Sequence, residues 1–253
     1  MANPWILKME QYTRFSKEER ETLDRLAAER PLQHAAGDDI IREGDHSPDC
    51  HVILSGLACR YKMLADGGRQ IMAWLVPGDL CDMHVSILGR MDHSIATLVP
   101  CQIAYIPRNV IEELTSKHPA INRALWWASL VDEATLREWL VNMGRRTADK
   151  QMAHLFCEIY VRLDSIGLVT ESSFSFPVTQ VELADTLGIT TVHVNRMLHQ
   201  LRDAGLMTLR RKRMTIQNFE RLRHFAEFNP NYLHLTKRQN GGGWANGRET
   251  PAS

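Results

Sequence analysis

Nothing in this 253-residue sequence approaches the ~20 consecutive apolar residues that a helical membrane span requires, although 44% of its residues are hydrophobic. That absence argues against a membrane protein. The opening residues, Met1 to Trp5, contain no basic segment leading into an apolar one, so no secretion signal is read and the expected compartment is the cytoplasm. Five cysteines, Cys50, Cys59, Cys81, Cys101 and Cys157, include no CxxC pair, which removes the commonest spacings of zinc and iron–sulfur ligands. They are expected to be small buried hydrophobes. Net charge is lacking too, with 30 basic and 30 acidic residues, and no internal repeat is evident.

The charge that is present is unevenly placed. Between Thr190 and His224 eight Lys or Arg stand against two acids, Asp203 and Glu220, which makes that stretch a local basic domain. Its helix signals are specific. Thr179-Gln180-Val181-Glu182 is a capping box that opens a helix over Gln180–Leu187, and Gly188 ends it. Thr190 caps a second helix running to Ala204, with Gly205 behind it. Two helices joined by a short glycine-containing turn are the arrangement of a helix-turn-helix. In the second helix Val194, Leu198 and Leu201 share one face, while Val192, Arg196 and Gln200 lie opposite, flanked by His193, Asn195 and His199. Arginine can donate a parallel pair of hydrogen bonds to guanine and asparagine can pair with adenine edges. Thr179, Thr190, Thr191, His193, Asn195, Arg196 and His199 are therefore the candidate DNA contacts. Leu206–Leu209, Arg210–Arg213 and Met214–Ile216 read as strand, basic turn and strand, a wing whose Arg211 and Lys212 grip the phosphate backbone. One polar residue on a helix is more often merely solvated; the consecutive order of cap, turn, amphipathic helix and basic hairpin carries the reading.

Ahead of this module the texture differs. Ser16 and Glu19 form another capping box, opening a helix to about Ala28. From Gln33 to Ile106 short apolar stretches such as Cys50–Leu54 and Ile71–Val76 alternate with glycines, and Asp66-Gly67-Gly68 marks a hairpin, so a small β-barrel or sandwich is expected. From His118 to Met143 the pattern is helical and apolar on more than one side. Ile121, Ala124, Leu125, Ala128, Val131 and Trp139 lie near one stripe, and Trp126, Trp127, Leu130 and Ala134 on another. Such a helix buries against two things, its own β-domain and a second copy. The pairing surface is assigned to Leu125, Ala128, Val131, Thr135 and Trp139. A break at Gly144-Arg145-Arg146 precedes a helix over Thr147–Leu163, and the polar, glycine-containing stretch after Thr236 is expected to be disordered.

The whole pattern from Phe15 to Phe228 resembles the CRP/FNR family of bacterial transcription regulators. The resemblance is carried by Gly37-Asp38, Ile53-Leu54-Ser55-Gly56, Gly68-Arg69 and Pro77-Gly78-Asp79, and by Leu187 through Arg196. It implies an α+β chain: an N-terminal double-stranded β-helix, a cyclic-nucleotide-binding-like roll of jelly-roll or cupin type, then a long dimerisation helix and a C-terminal winged helix-turn-helix. The expected division is an arm and sensor roll at 1–116, a dimerisation helix and hinge at 117–146, a DNA-binding domain at 147–235 and a tail at 236–253. It further implies a homodimer on a roughly palindromic duplex, with RNA polymerase as a further partner and no enzymatic activity.

Departures from the family pattern shape the sensor reading. Nucleotide binders of the family place a glutamate shortly after the Gly-Asp, and later an arginine followed by Ser or Thr. Here Met83 stands near the first position and His93 at the second, before Ser94, so the fork that would hold a phosphate is missing. The resemblance locates an effector near Asp79, Met83, His84, His93 and Ser94, of unknown identity and not cyclic AMP. The arm before the roll has no cysteine for an iron–sulfur cluster, and no cofactor is expected. Val192 and Asn195 replace the glutamate and serine common in the reading helix, while Arg196 is kept. Two rivals remain: a haem, metal or thiol sensor built on His46, His51, His84, His93, Cys50 and Cys81, and a cupin-like metalloenzyme. A bare scaffold protein would leave the basic hairpin unexplained.

Overall fold

The structure, a computed structural model, describes residues 2–83 and 85–235. The polar tail expected to be disordered, and His84, lie outside the described residues. The chain begins with α1 (Pro4–Met9), which the sequence reading passed over although Asn3 accepts from the Trp5 amide as N-cap and Pro4 occupies the first turn. Next comes α2 (Lys17–Glu29), where the Ser16–Glu19 capping box is present in both directions.

Seven strands then build the roll: β1 (Pro31–His34), β2 (Asp39–Ile41), β3 (Asp49–Ser55), β4 (Ala58–Met63), β5 (Arg69–Leu75), β6 (Ser94–Thr97) and β7 (Cys101–Pro107). A short helix, α3 (Val85–Leu88), interrupts them. They form two antiparallel sheets, β1-β7-β3 and β2-β6-β4-β5. The β4–β5 hairpin closes through Asp66-Gly67-Gly68, with Gly67 at φ 84°. Residues Cys50–Ile53 of β3 are buried on both sides. One side faces the roll interior and the other packs under Trp5, Ile6, Met9, Leu23 and Leu26 of the two N-terminal helices. This explains the unbroken apolar run there.

Helix α4 (Arg108–Lys117) leads into α5 (Pro119–Arg145), which runs straight through Gly144, where the sequence suggested a break. The break falls at Arg146, the extended C-cap, and Thr147 starts α6 (Ala148–Ser165). The remaining chain forms β8 (Ser173–Ser175), α7 (Gln180–Leu187), α8 (Thr191–Asp203), β9 (Met207–Arg210), β10 (Arg213–Ile216) and α9 (Phe219–Phe225), then a 3-10 turn at Pro230–Leu233. Strand β8 was not anticipated; it pairs with β10, so the wing is a three-stranded sheet, β8-β10-β9.

One apolar core runs from the roll through α6 into this module, with Ile71, Trp74 and Leu75 joining Phe156, Phe174 and Phe176. Trp74 and Phe176 stack at 5.6 Å between centroids. Polar contacts continue the same seam. Arg69 pairs with Asp185 at 2.7 Å, and Trp74 Nε1 donates to Thr186 Oγ1 at 3.1 Å.

Candidate nucleic-acid interface and effector cavity

Helix α7 ends at Gly188 in the left-handed conformation, φ 65°, which turns the chain sharply enough for Thr190 to cap α8 three residues later by accepting from the His193 amide at 3.3 Å. Val194, Met197 and Leu201 of α8 are buried, with Leu198 partly so. Met197 joins the packed face, a role that spacing alone did not assign. Thr191, Val192, His193, Asn195, Arg196, His199 and Gln200 are exposed on the other side. Their arrangement offers a guanidinium, an amide and two imidazoles to solvent from one helix, whose N-terminal amides give it a positive end. His199 and Arg202 side chains touch each other at its C-terminal half. Thr179 serves α7 as N-cap and, although exposed, is already engaged with the Glu182 amide and carboxylate.

The wing follows directly. Arg211 and Lys212 form the two-residue connection of β9 and β10, both at positive φ, 49° and 63°. This is the twisted turn geometry that favours hairpins and normally prefers Asn or Gly. The Lys212 carbonyl accepts from the Phe176 amide at 2.8 Å, so the tip is fixed from the β8 side while its two basic side chains stay exposed.

Two sets of relationships to known proteins accompany this geometry. Residues 150–225 match the Crp-like helix-turn-helix domain and residues 31–118 the cyclic nucleotide-binding domain. The transcriptional activator protein FnrL of Cereibacter sphaeroides is 30% identical over 216 residues, 83% of this chain and 84% of that protein. The chain belongs to the CRP/FNR family of transcription regulators. A probable transcriptional activator of Rhizobium leguminosarum bv. viciae is 28% identical over 194 residues, 77% of this chain and 79% of its own length. The structure of FixK2 from Bradyrhizobium japonicum superposes with a TM-score of 0.69, covering 77% of this chain and 96% of that one at 21% identity, which establishes the common fold. Among the described residues no helix is long and apolar enough to cross a membrane.

The sensor half of this CRP/FNR protein departs from the sequence expectations. A cavity of about 420 Å³ opens between the roll, α1 and α5. Met83 and His93 line it as expected. Asp79 does not: it is buried in a charge chain with Lys8 of α1 and, at 2.5 Å, with Arg162 of α6, which also reaches Glu158 at 3.1 Å. Burial alone would raise the Asp79 carboxyl, but the Lys8 and Arg162 charges, with hydrogen bonds from Lys8 and the Val76 amide, hold it below its ordinary 3.8. Ser94 is buried too, its hydroxyl accepting from the Glu43 amide at 2.9 Å. It belongs to the roll's internal bonding.

The pairing surface on α5 is also corrected. Leu125, Val131, Thr135 and Trp139 are buried within their own protomer, and Trp139 Nε1 donates to Glu158 at 3.0 Å; Ala128 lines the cavity. The stripe left uncovered contains Trp126 (56% exposed), Leu130 (56%), Leu136 (47%) and Leu140 (75%).

The histidines and cysteines of the rival readings are scattered. His51 Nδ1 is paired with the buried Asp82 at 2.5 Å, and His93 Nδ1 with Asp92 at 2.6 Å. His46 lies 2.6 Å from the Gly89 carbonyl oxygen. Among the described residues no three His, Cys, Asp or Glu side chains converge as ligands of one metal would. All five thiols are buried, and burial pushes Cys50 and Cys59 up to about 12 and Cys101 to about 11, which removes the thiolate a redox sensor needs at neutral pH.

Proposed function

We propose that the protein works as a homodimer that lays α8 of each protomer into successive major grooves of a roughly palindromic promoter site and acts on RNA polymerase there. The observation that carries the reading is the exposed side of α8, where Asn195 and Arg196 stand free of the packed face, followed at once by the basic wing. Arg196 and Asn195 read base edges, while Thr190, Thr191 and the first amides of α8 hold phosphate. His193 and His199 flank the base-reading pair, and Arg211 and Lys212 hold the backbone beside the groove. Thr179 positions α7. Names of relatives that include "transcriptional activator" favour activation as the output.

The partner copy is expected on the uncovered stripe of α5, because four large apolar side chains on one helix face are costly in water and spaced for a helix pair. The cavity beside that helix is the effector site, with Met83 and His93 in its wall. A cytoplasmic setting and the absence of an enzymatic activity accompany this role. Selection of bound duplexes from a random pool tests it. A two-fold symmetric motif with half-sites about 10 base pairs apart is the expected product; recovery of an unenriched pool contradicts the reading.

A further inference from the structure

The cavity falls within the range of roughly 300–1,000 Å³ common among small-ligand sites. Trp5, Lys8, Met9 and Tyr12 of its wall precede residue 31, where the match to the cyclic nucleotide-binding domain begins, so this wall is particular to the chain. Apolar groups dominate elsewhere as well, through Met72, Leu80, Met83 and Leu125. Among the described residues three cations reach the cavity, Lys8, Arg60 and Lys62.

Each of those cations already holds a carboxylate. Lys8 pairs with Asp79, and Arg60 pairs with Asp132 at 2.9 Å while donating to the Cys81 carbonyl at 2.8 Å. Lys62 pairs with Glu43 at 2.8 Å. The first two pairs are largely buried, so an anion that recruited either cation would strand a carboxylate away from water, which is strongly unfavourable. The Lys62–Glu43 pair is open to solvent and weak, but one flexible ammonium is no substitute for a bidentate fork on a phosphate.

We propose that this cavity binds an uncharged, mainly apolar small molecule carrying one or two hydrogen-bonding groups, and that it rejects nucleotide phosphates. The assignment deepens the effector part of the regulator reading and is tested without DNA, so the two can fail separately. Isothermal titration of the full chain at neutral pH would use 1-naphthol and indole as neutral probes. Their anionic counterparts are 1-naphthoate and indole-3-carboxylate, with cyclic AMP as the nucleotide. The expected result is one saturable site per chain for a neutral probe, at least tenfold tighter than its carboxylate counterpart, with no cyclic AMP binding. Filling the cavity by Ala73→Leu or, separately, Ala128→Leu should weaken that binding at least tenfold, with thermal unfolding confirming that each variant folds. Carboxylates or cyclic AMP binding as tightly as the neutral probes would overturn the proposal. So would neutral binding that survives both substitutions, or no saturable binding by either neutral probe. Affinity for the selected duplex, measured on the same preparation, reports on the DNA reading alone.

Discussion

Arg196 stands one position from Asn195 on the solvent side of α8, with Val194 and Met197 buried on either side of the pair in sequence. A substitution there touches no packed atom of the protomer. Arg196→Ala should therefore leave the unfolding temperature nearly unchanged while costing about 1–3 kcal/mol of binding to the specific duplex and relaxing preference at one base position; competition binding against single-base variants checks both. Asp79 shows the opposite case, a residue whose role is structural because of partners far along the chain. Its folded carboxyl lies below 3.8, so its stabilising contribution is complete above that value and is lost as the pH falls through the lowered one. Asp79→Asn leaves Lys8 and Arg162 facing each other without the charge between them, and should destabilise by about 3 kcal/mol near neutrality. Urea unfolding of both proteins should show that gap narrowing between about pH 6 and about pH 3. A gap independent of pH would mean that the carboxylate is not what holds the three together. The capping residues Ser16, Thr179 and Thr190 were legible in the sequence because a cap is decided within four residues. Asp79 was not, because Lys8 and Arg162 lie 71 and 83 positions away.

Among elements, the wing combines two demands that pull apart. Its tip residues Arg211 and Lys212 sit in the left-handed region, which costs roughly 1 kcal/mol or more for a residue with a Cβ. Asn-Gly would suit that turn better. The double substitution Arg211→Asn, Lys212→Gly should raise the unfolding temperature yet weaken binding to every duplex, and flatten the slope of log affinity against log salt by about 2. Thermal unfolding and fluorescence anisotropy would show the two opposite signs. In α5 the uncovered stripe carries the pairing. Leu140→Asp should shift the protein to monomer in sedimentation velocity without unfolding it, since Leu140 is 75% exposed in the protomer. An unchanged dimer would move the interface elsewhere. The sequence showed that this helix is apolar on two sides, but periodicity does not say which side meets the chain's own roll. Burial of Trp139 against Glu158 and of Leu125 beside α1 settles that from tertiary contacts.

At the scale of the whole molecule, the roll and the winged module share a core and a polar seam. Arg69–Asp185, Trp74–Thr186 and Arg162–Asp79 join residues 116, 112 and 83 positions apart. Order of elements, the two capping boxes, the wing and the membership of the roll were readable from local pattern and family resemblance. The seam, α1 and β8 were not, because each is fixed by what it packs on. With α1 forming a cavity wall and Lys8 tied through Asp79 to α6, the effector site and the DNA-binding module are in physical contact through a few side chains. The central claim remains that the exposed side of α8 reads base sequence. Anisotropy titrations of the unmodified protein against its selected duplex and a scrambled duplex of equal length, at one near-physiological salt concentration, test it most directly. A preference on the order of 10³-fold or more for the selected duplex is the predicted result, and equal affinity for the two would contradict the account.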